Sequence, residues 1–219
     1  MPKLNFQVEG VQAIALAATP QLTFRLRIDD TESADSCPIE SILLRIQIRI
    51  EPTKRSHPLT ARAGLNDLFG EPARWGASMR SMLWTHANLI VPRFQGTAMV
   101  DLPIECTYDF NVGATKYFSA LDDGDIPLCF LFSGTVFYQT DGGLQAAPIS
   151  WEQEATYRLP VGVWREMMAL YYPNRVWLCL DKDAFDRLDD YKSSQSLCTW
   201  EQSIEKLLAH AAPQGAAGN

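Results

Sequence analysis

The sequence lacks the short motifs by which most catalytic, nucleotide-binding and metal-binding sites are recognised. It contains no His-x-x-x-His and no Cys-x-x-Cys pair, so no metal centre built from neighbouring ligands is expected. It also has no G-x-S-x-G nucleophile elbow, no G-x-x-x-x-G-K-[ST] and no G-x-G-x-x-G phosphate loop. We therefore expect neither a cofactor nor a metal. Whether the chain is an enzyme stays open, and the missing motifs favour a non-catalytic role.

Positive charge and long apolar runs are also scarce. The chain has 19 Lys and Arg against 26 Asp and Glu, a net charge of −7, which argues against a nucleic-acid partner. The apolar run VQAIALAA near the N-terminus is too short to span a bilayer, and Glu9 interrupts a signal-peptide pattern. We therefore expect a cytoplasmic protein without a membrane span.

Cysteine is sparse and irregularly spaced. Five cysteines, an odd number, lie far apart, which is not typical of a disulfide framework. Cys129 and Cys179 lie inside apolar runs that resemble strands. We therefore expect both to be buried thiols.

Strict alternation of apolar and polar residues is the clearest pattern that is present. It runs through residues 22–29 and 43–51, as in LLRIQIRIE. A period of two gives each strand one buried and one exposed face, which is typical of antiparallel sheets. The pattern predicts a mainly β (α+β) protein, an antiparallel immunoglobulin-like β-sandwich with a short helical insertion and a helical C-terminal extension.

The expected organisation has three parts. Residues 1–159 form the β-sandwich, with short helices inserted at about 53–83, where Leu65, Leu68 and Phe69 have helical spacing. Residues 160–212 form a helical extension packed on the sandwich. Residues 213–219 form a disordered tail.

Local signals refine this outline. DDGD and TDGG divide an aromatic-rich segment, 116–151, which predicts three antiparallel strands in meander order. Gly134 inside this segment predicts a bulge or a close backbone approach. RVWLCL, residues 175–180, is typical of a short strand. Thr199 and Gln202 have the spacing of a capping box before the last helix.

Aromatic residues are the best candidates for an interaction surface. Tryptophan, tyrosine and arginine dominate affinity at protein interfaces, although most such rings fill cores. Trp75, Trp84 and Tyr172 lie near loops broken by Pro or Gly, and we expect them to be exposed.

A second set of candidates, His86, Tyr108 and Asp109, belongs to a different hypothesis. These residues could assemble a site for catalysis or a small ligand if the fold brings them together. His86 would then be the base and Asp109 would orient it.

Long segments of the chain resemble a known family of bacterial proteins classed only as a domain of unknown function. The resemblance covers about residues 6–208 and is carried by SILLRIQIRIEP, LFGEPARWG, LWTHANLIVPRF, VDLPIECTYDFNVGATKYF, DGDIPLCFLFSGTVFY and YRLPVGVWREMM. The family is often encoded beside nickel–iron hydrogenase genes of soil bacteria. The resemblance therefore implies an accessory or assembly role, with a hydrogenase component as partner.

Three functions follow as hypotheses. The leading one is a non-catalytic protein-binding or accessory module, associated with a nickel–iron hydrogenase system. The second is an enzyme or small-ligand-binding protein whose site is assembled from distant residues. The third is a self-associating structural subunit, a homo-oligomer that pairs through an edge strand.

Overall fold

The computed structural model describes residues 2–31, 38–107, 109 and 112–211, which fall into two compact units, Met1–Trp177 and Leu178–Asn219. The strands, all in the first unit, are β1 (Leu4–Ala13), β2 (Gln21–Asp30), β3 (Ile39–Ile50), β4 (Met82–Val91), β5 (Thr97–Glu105), β6 (Asp125–Thr140), β7 (Gly143–Pro148) and β8 (Glu154–Pro160). The α-helices of the described residues are α1 (Leu59–Phe69), α2 (Trp75–Ser78), α3 (Gly113–Ser119), α4 (Val161–Tyr171), α5 (Lys182–Ser194) and α6 (Trp200–Ala211).

The strands form two antiparallel sheets. One has the order β1-β2-β5, and the other has the order β4-β3-β6-β7, with β8 also paired to β6. β6 is 16 residues long, so its first half pairs with β8 and its second half with β7 along the same side. The mainly β, antiparallel part of the predicted fold is therefore confirmed.

The inner faces of the two sheets share one hydrophobic core. Phe6 of β1 stacks on Phe132 of β6 with ring centroids 4.3 Å apart, and Phe24 of β2 meets Phe130 of β6 at 5.3 Å. The alternation in 43–51 has its expected consequence, because Leu44, Ile46, Ile48 and Ile50 are buried in this core. Burial of such side chains is the main favourable term in folding.

Gly134 lies where the partner of β6 changes from β8 to β7. Its φ is +139°, and a Cβ atom there would lie 2.0 Å from the carbonyl oxygen of Leu43 on β3. The N–H of Ile149, at the end of β7, donates to the Gly134 carbonyl at 3.0 Å. Only glycine permits this backbone angle and this approach. The predicted close approach at Gly134 is confirmed.

The insertion between β3 and β4 is helical, as its spacing predicted. Single 3-10 turns at Pro52–Lys54 and Pro72–Arg74 lie before and after α1. Leu65 and Phe69 are buried in the core because they are four residues apart and lie on one face of α1. Gly70 ends the helix with φ +72°.

Two expected strands and one expected burial are wrong. Residues Gly113–Ser119, which include the first part of the expected meander, form α3, whose Tyr117 and Phe118 are buried. A short aromatic run without clear period does not distinguish a buried strand from a buried helix. RVWLCL forms only an isolated bridge at Trp177 instead of a strand. Cys129 is buried as expected, but Cys179 is exposed.

α4 belongs to the first unit. Its Trp164, Met167 and Met168 lie in the core, and the Tyr171 hydroxyl donates to the Ile14 carbonyl at 2.7 Å. The boundary between the two units lies after Trp177, whereas the sequence pattern predicts a change at residue 160. The grouping of 160–212 into one packed extension stays a prediction, and the 213–219 tail lies outside the described residues.

The second unit is a pair of helices. The rings of Phe185 on α5 and Trp200 on α6 lie 5.3 Å apart, and the Lys192 ammonium lies 5.0 Å over Trp200. The capping box is confirmed, because Thr199 Oγ1 accepts from the Gln202 N–H at 3.2 Å and Gln202 Oε1 accepts from the Thr199 N–H at 3.3 Å. No helix in the described ranges is long and apolar enough to cross a membrane.

Candidate interaction surface

Trp75, the first residue of α2, connects the two ends of the helical insertion and packs against the core. Its indole N–H donates to the Gly70 carbonyl at 2.8 Å. Its ring meets Phe69 at 6.5 Å and His57 at 5.8 Å, both edge to face. Trp75 is half-buried and packs against the core, so the exposure expected for it is only partial.

Trp84 faces inward. Its ring makes edge-on contacts with Phe118 at 5.1 Å and with Phe24 at 6.1 Å, and it packs against the core. A bulge between the residues opposite Ile48 and Arg49 makes Trp84 the extra residue of β4. Trp84 is half-buried and contributes to packing, so the exposure expected for it is only partial.

His86 and Asp109 occupy different settings. His86 is exposed on the outer face of β4, opposite Gln47 of β3. Asp109 forms an isolated bridge with Trp177. Both residues are described, and no hydrogen bond joins them. Tyr108 lies outside the described residues. The hypothesis of a His86–Asp109 acid–base pair therefore has no contact to support it.

Near the C-terminal end of the first unit, Trp177 contacts two of the candidate residues, Asp109 and Tyr172. Trp177, which bridges Asp109, also meets the ring of Tyr172 edge to face at 6.2 Å. Trp177 is 61% exposed, and Val176 beside it is exposed as well. The sequence pattern does not single out Trp177, because the strand predicted at 175–180 would bury part of its ring.

The second unit exposes a continuous set of apolar side chains. Ile204, Leu207 and Leu208 of α6 have the spacing i, i+3, i+4, so they lie on one side of the helix. Leu208 is 64% exposed, and Ile204 and Leu207 are also exposed. We call these three residues, together with the partly exposed Phe185 and Trp200, the apolar face of the second unit. The sequence pattern predicts that this stripe packs on the sandwich, so these residues were not among the expected surface candidates.

The second unit carries a net negative charge. Residues 178–211 carry seven acidic and four basic side chains. Two of the lysines are already engaged, since Lys182 pairs with Asp186 and Lys206 donates to Gln195 at 2.7 Å. The unit therefore combines an exposed apolar face with an excess of acidic residues.

Titratable groups inside the first unit are kept neutral. Burial raises the pKa of the Cys106 thiol to about 12, and burial also raises the pKa of Cys129, with nearby Glu154 adding to the effect. Burial raises the pKa of Tyr117 to about 12, although Arg55 acts in the opposite direction. The Tyr117 hydroxyl lies 3.1 Å from His57 Nε2. Neither thiol is an activated nucleophile, because the reactive form is the thiolate.

A polar cleft between the helical insertion and the start of β6 has a structural role. Its volume is about 620 Å³, and its lining includes Lys54, Arg55, Arg158, Asp123 and Asp125. Arg55 donates to the carbonyls of Asp125 at 2.9 Å and Asp123 at 3.2 Å, which attaches the β6 turn to the insertion. Cations and carboxylates are mixed in this cleft, so it selects for neither sign of ligand. In the part of the chain that the structure describes, no three His, Cys, Asp or Glu side chains are grouped to hold a metal ion.

Comparison with known proteins gives a family and little else. Residues 1–216 match the model of a family described as one of unknown function. No curated protein matches. A solution structure assigned to the late embryogenesis abundant (LEA) proteins matches with 14% identity over 73% of each chain and a TM-score of 0.31. The beta-glucosidase from Kluyveromyces marxianus in complex with glucose matches with 9% identity and a TM-score of 0.23, over 72% of this chain and 15% of that enzyme. Scores this low support no inference about fold or function.

Proposed function

The chain belongs to DUF6084, a family of unknown function, and from that premise we propose that it is a non-catalytic protein-binding module. The apolar face of the second unit is the surface that docks on the partner. One observation supports this proposal above the others: five large apolar side chains of a two-helix unit are exposed rather than buried.

The size of the second unit explains why this face calls for a partner. Its helices have 13 and 12 residues, and an assembly of that size cannot enclose a core of its own. Soluble proteins rarely leave contiguous apolar side chains in water unless another surface covers them. A partner that covers Ile204, Leu207 and Leu208 would remove about half of each side chain from water, which contributes roughly 1 kcal/mol apiece.

Charge decides what kind of partner complements this face. The net negative charge of the second unit favours an apolar groove bordered by lysine or arginine, because opposite potentials steer association and exclude wrong partners. We propose a component of a nickel–iron hydrogenase system as that partner. This identity rests on the family resemblance, whereas the chemistry of the groove rests on the surface itself.

A matched pair of substitutions tests the docking surface. Leu208→Ser removes an exposed apolar side chain from the face, and Leu144→Ser makes the same change on β7, where Leu144 is 60% exposed. We expect Leu208→Ser to weaken binding to a purified hydrogenase subunit about fivefold, because it removes the roughly 1 kcal/mol that burial of this side chain contributes. Leu144→Ser should bind as the unchanged protein does, as measured by isothermal titration calorimetry.

Two results would contradict parts of this proposal in different ways. If no hydrogenase subunit binds, the identity of the partner is wrong. If the subunit binds Leu208→Ser as tightly as it binds the unchanged protein, the apolar face is not the docking surface.

The architecture and location complete the proposal. We propose that the two sheets form an immunoglobulin-like sandwich, supported by the core that their inner faces share. We also propose a cytoplasmic location, which rests on the sequence patterns alone.

A further inference from the structure

From His86 to Val91, β4 is an edge strand without the usual protection against strand addition. Among the described residues it pairs with β3 on one side only, and its sequence MLWTHANLIV contains no charged residue, no proline and no glycine. The bulge at Trp84 lies before this segment and leaves the edge from His86 onward regular. Natural proteins block exposed edges with charges, prolines, bulges or short strands. Three other edge strands carry such devices: a bulge next to Gly10 in β1, Asp101 and Pro103 in β5, and Pro148 in the short β7.

The hydrogen bonds of β3 decide which groups of β4 point outward. The Glu51 N–H donates to the Pro127 carbonyl at 2.9 Å, on the β6 side of β3. Successive residues of an antiparallel strand bond to opposite sides, so Leu44 and Ile46 bond to β4. The residues opposite Leu44 and Ile46 are Leu89 and Ala87 of β4. The backbone groups of the alternate residues, His86, Asn88 and Ile90, therefore point away from β3.

These three residues are open to solvent. His86 and Asn88 are exposed, and Ile90 is 70% exposed. Within the described ranges, the one hydrogen bond to their outward backbone groups comes from the Thr85 hydroxyl, 3.4 Å from the His86 carbonyl. The edge thus offers a row of backbone donors and acceptors at a spacing of two residues.

We propose that a second copy of this chain pairs with this edge, antiparallel and centred on Asn88, so that two β4 strands join their sheets across a two-fold axis. In this register Asn88 faces Asn88 of the second copy, and His86 faces Ile90. Each facing pair exchanges two N–H···O bonds. The outward groups of all three residues are then satisfied, and the symmetry closes the assembly at a dimer.

The side chains of β4 suit this self-pairing. On the inner face, Ala87 lies opposite Leu89 of the second copy, which places a small side chain against a large one. On the outer face, the Asn88 amide both donates and accepts, so it can bond to its own symmetry mate. The protein carries a net charge of −7, but β4 contributes none of it, and the axis brings no like charges together. The pairing uses no residue of the second unit and is independent of the proposed partner.

Charge placed on the axis tests the proposal. Sedimentation of the full chain up to about 1 mM should give a monomer–dimer equilibrium and no larger species. Asn88→Lys and Asn88→Asp should each be monomeric, because identical charges then face each other about 5.5 Å apart. An equimolar mixture of the two variants should form the dimer again, which also demonstrates that both are folded.

Leu43→Lys is the matched control. Leu43 is exposed on the same outer face, opposite Ile90, but β3 is an interior strand whose backbone groups are already bonded. This variant should dimerise like the unchanged protein.

Residue-resolved amide exchange supplies a second readout. The amide protons of Asn88 and Ile90 should become protected only as the protein concentration rises, whereas those of Ala87 and Leu89 should be protected at every concentration. The proposal is overturned by a strict monomer at about 1 mM. It is equally overturned by a dimer that Asn88→Lys and Asn88→Asp leave intact.

Discussion

Among glycine-to-alanine substitutions outside the helices of the first unit, Gly134→Ala should be the most destabilising. Alanine at φ +139° is strained by about 1–3 kcal/mol. Its Cβ atom would also meet the Leu43 carbonyl oxygen at 2.0 Å, and that atom belongs to backbone that cannot rotate away. β3 and β6 must then separate locally and lose one or two ladder hydrogen bonds at about 1 kcal/mol each. The sum is about 2–5 kcal/mol, a large fraction of the stability of a typical domain.

Substitutions at two other glycines distinguish the effect of backbone strain from the effect of the steric clash. Gly96→Ala has the unfavourable backbone angle, φ +73°, but no atom within 4 Å of its Cβ position. Gly10→Ala has neither problem. We expect Gly10→Ala to be nearly neutral and Gly96→Ala to cost about 1 kcal/mol, well below the cost of Gly134→Ala.

Urea unfolding followed by circular dichroism measures these differences. With a slope of about 2 kcal/mol per molar urea, Gly134→Ala should lower the midpoint by roughly 1–2.5 M. If Gly134→Ala and Gly96→Ala have the same midpoint, the close approach of β6 to Leu43 does not exist, and the explanation given for Gly134 is wrong.

Two further predictions concern a buried hydroxyl and a helix cap. At pH 7, Tyr117→Phe should lower the free energy of unfolding by about 1 kcal/mol, because it removes the hydrogen bond with His57. The folded pKa of Tyr117 is raised from 10 to about 12, so the unfolded chain ionises first as pH rises. The unchanged protein should therefore lose about 1.4 kcal/mol by pH 11 relative to Tyr117→Phe, and a stability gap that does not change with pH in urea titrations would count against this burial. Thr199→Ala should lower the stability of the second unit by about 1 kcal/mol and accelerate amide exchange in the first turn of α6. Thr199→Ser should restore the cap. Equal exchange in all three proteins would refute the role of the capping box.

The local patterns that the sequence predicted well share a physical property. Alternation in β2 and β3, the helical spacing of Leu65 and Phe69 and the capping box at Thr199 all depend on residues that are close in the chain. Period, propensity and backbone freedom act over such distances without help from tertiary contacts. The antiparallel strands and the helical insertion could therefore be predicted.

The errors have the opposite character. The aromatic-rich run in α3 was expected to be a strand. Tyr117 and Phe118 are both buried there, and a segment buried on several sides loses the period that distinguishes a helix from a strand. Trp84 was expected at the surface, but a bulge in β4 turns its ring toward Phe118. Whether Trp177 and Leu208 are covered depends on which other elements reach them, and no short-range pattern contains that information.

The sequence by itself determined which segments become strands and helices, since backbone sterics and the repeat of apolar side chains act within a few residues. Only the tertiary structure decided the order of strands in the two sheets, and with it that β4 lies at an edge while β3 lies inside. Only the tertiary structure decided, too, that the apolar face of the second unit stays uncovered. Both proposed surfaces, the outer edge of β4 and the apolar face of the second unit, consist of groups that no other described element covers. Which elements lie beside each other is set by contacts between residues far apart in the chain.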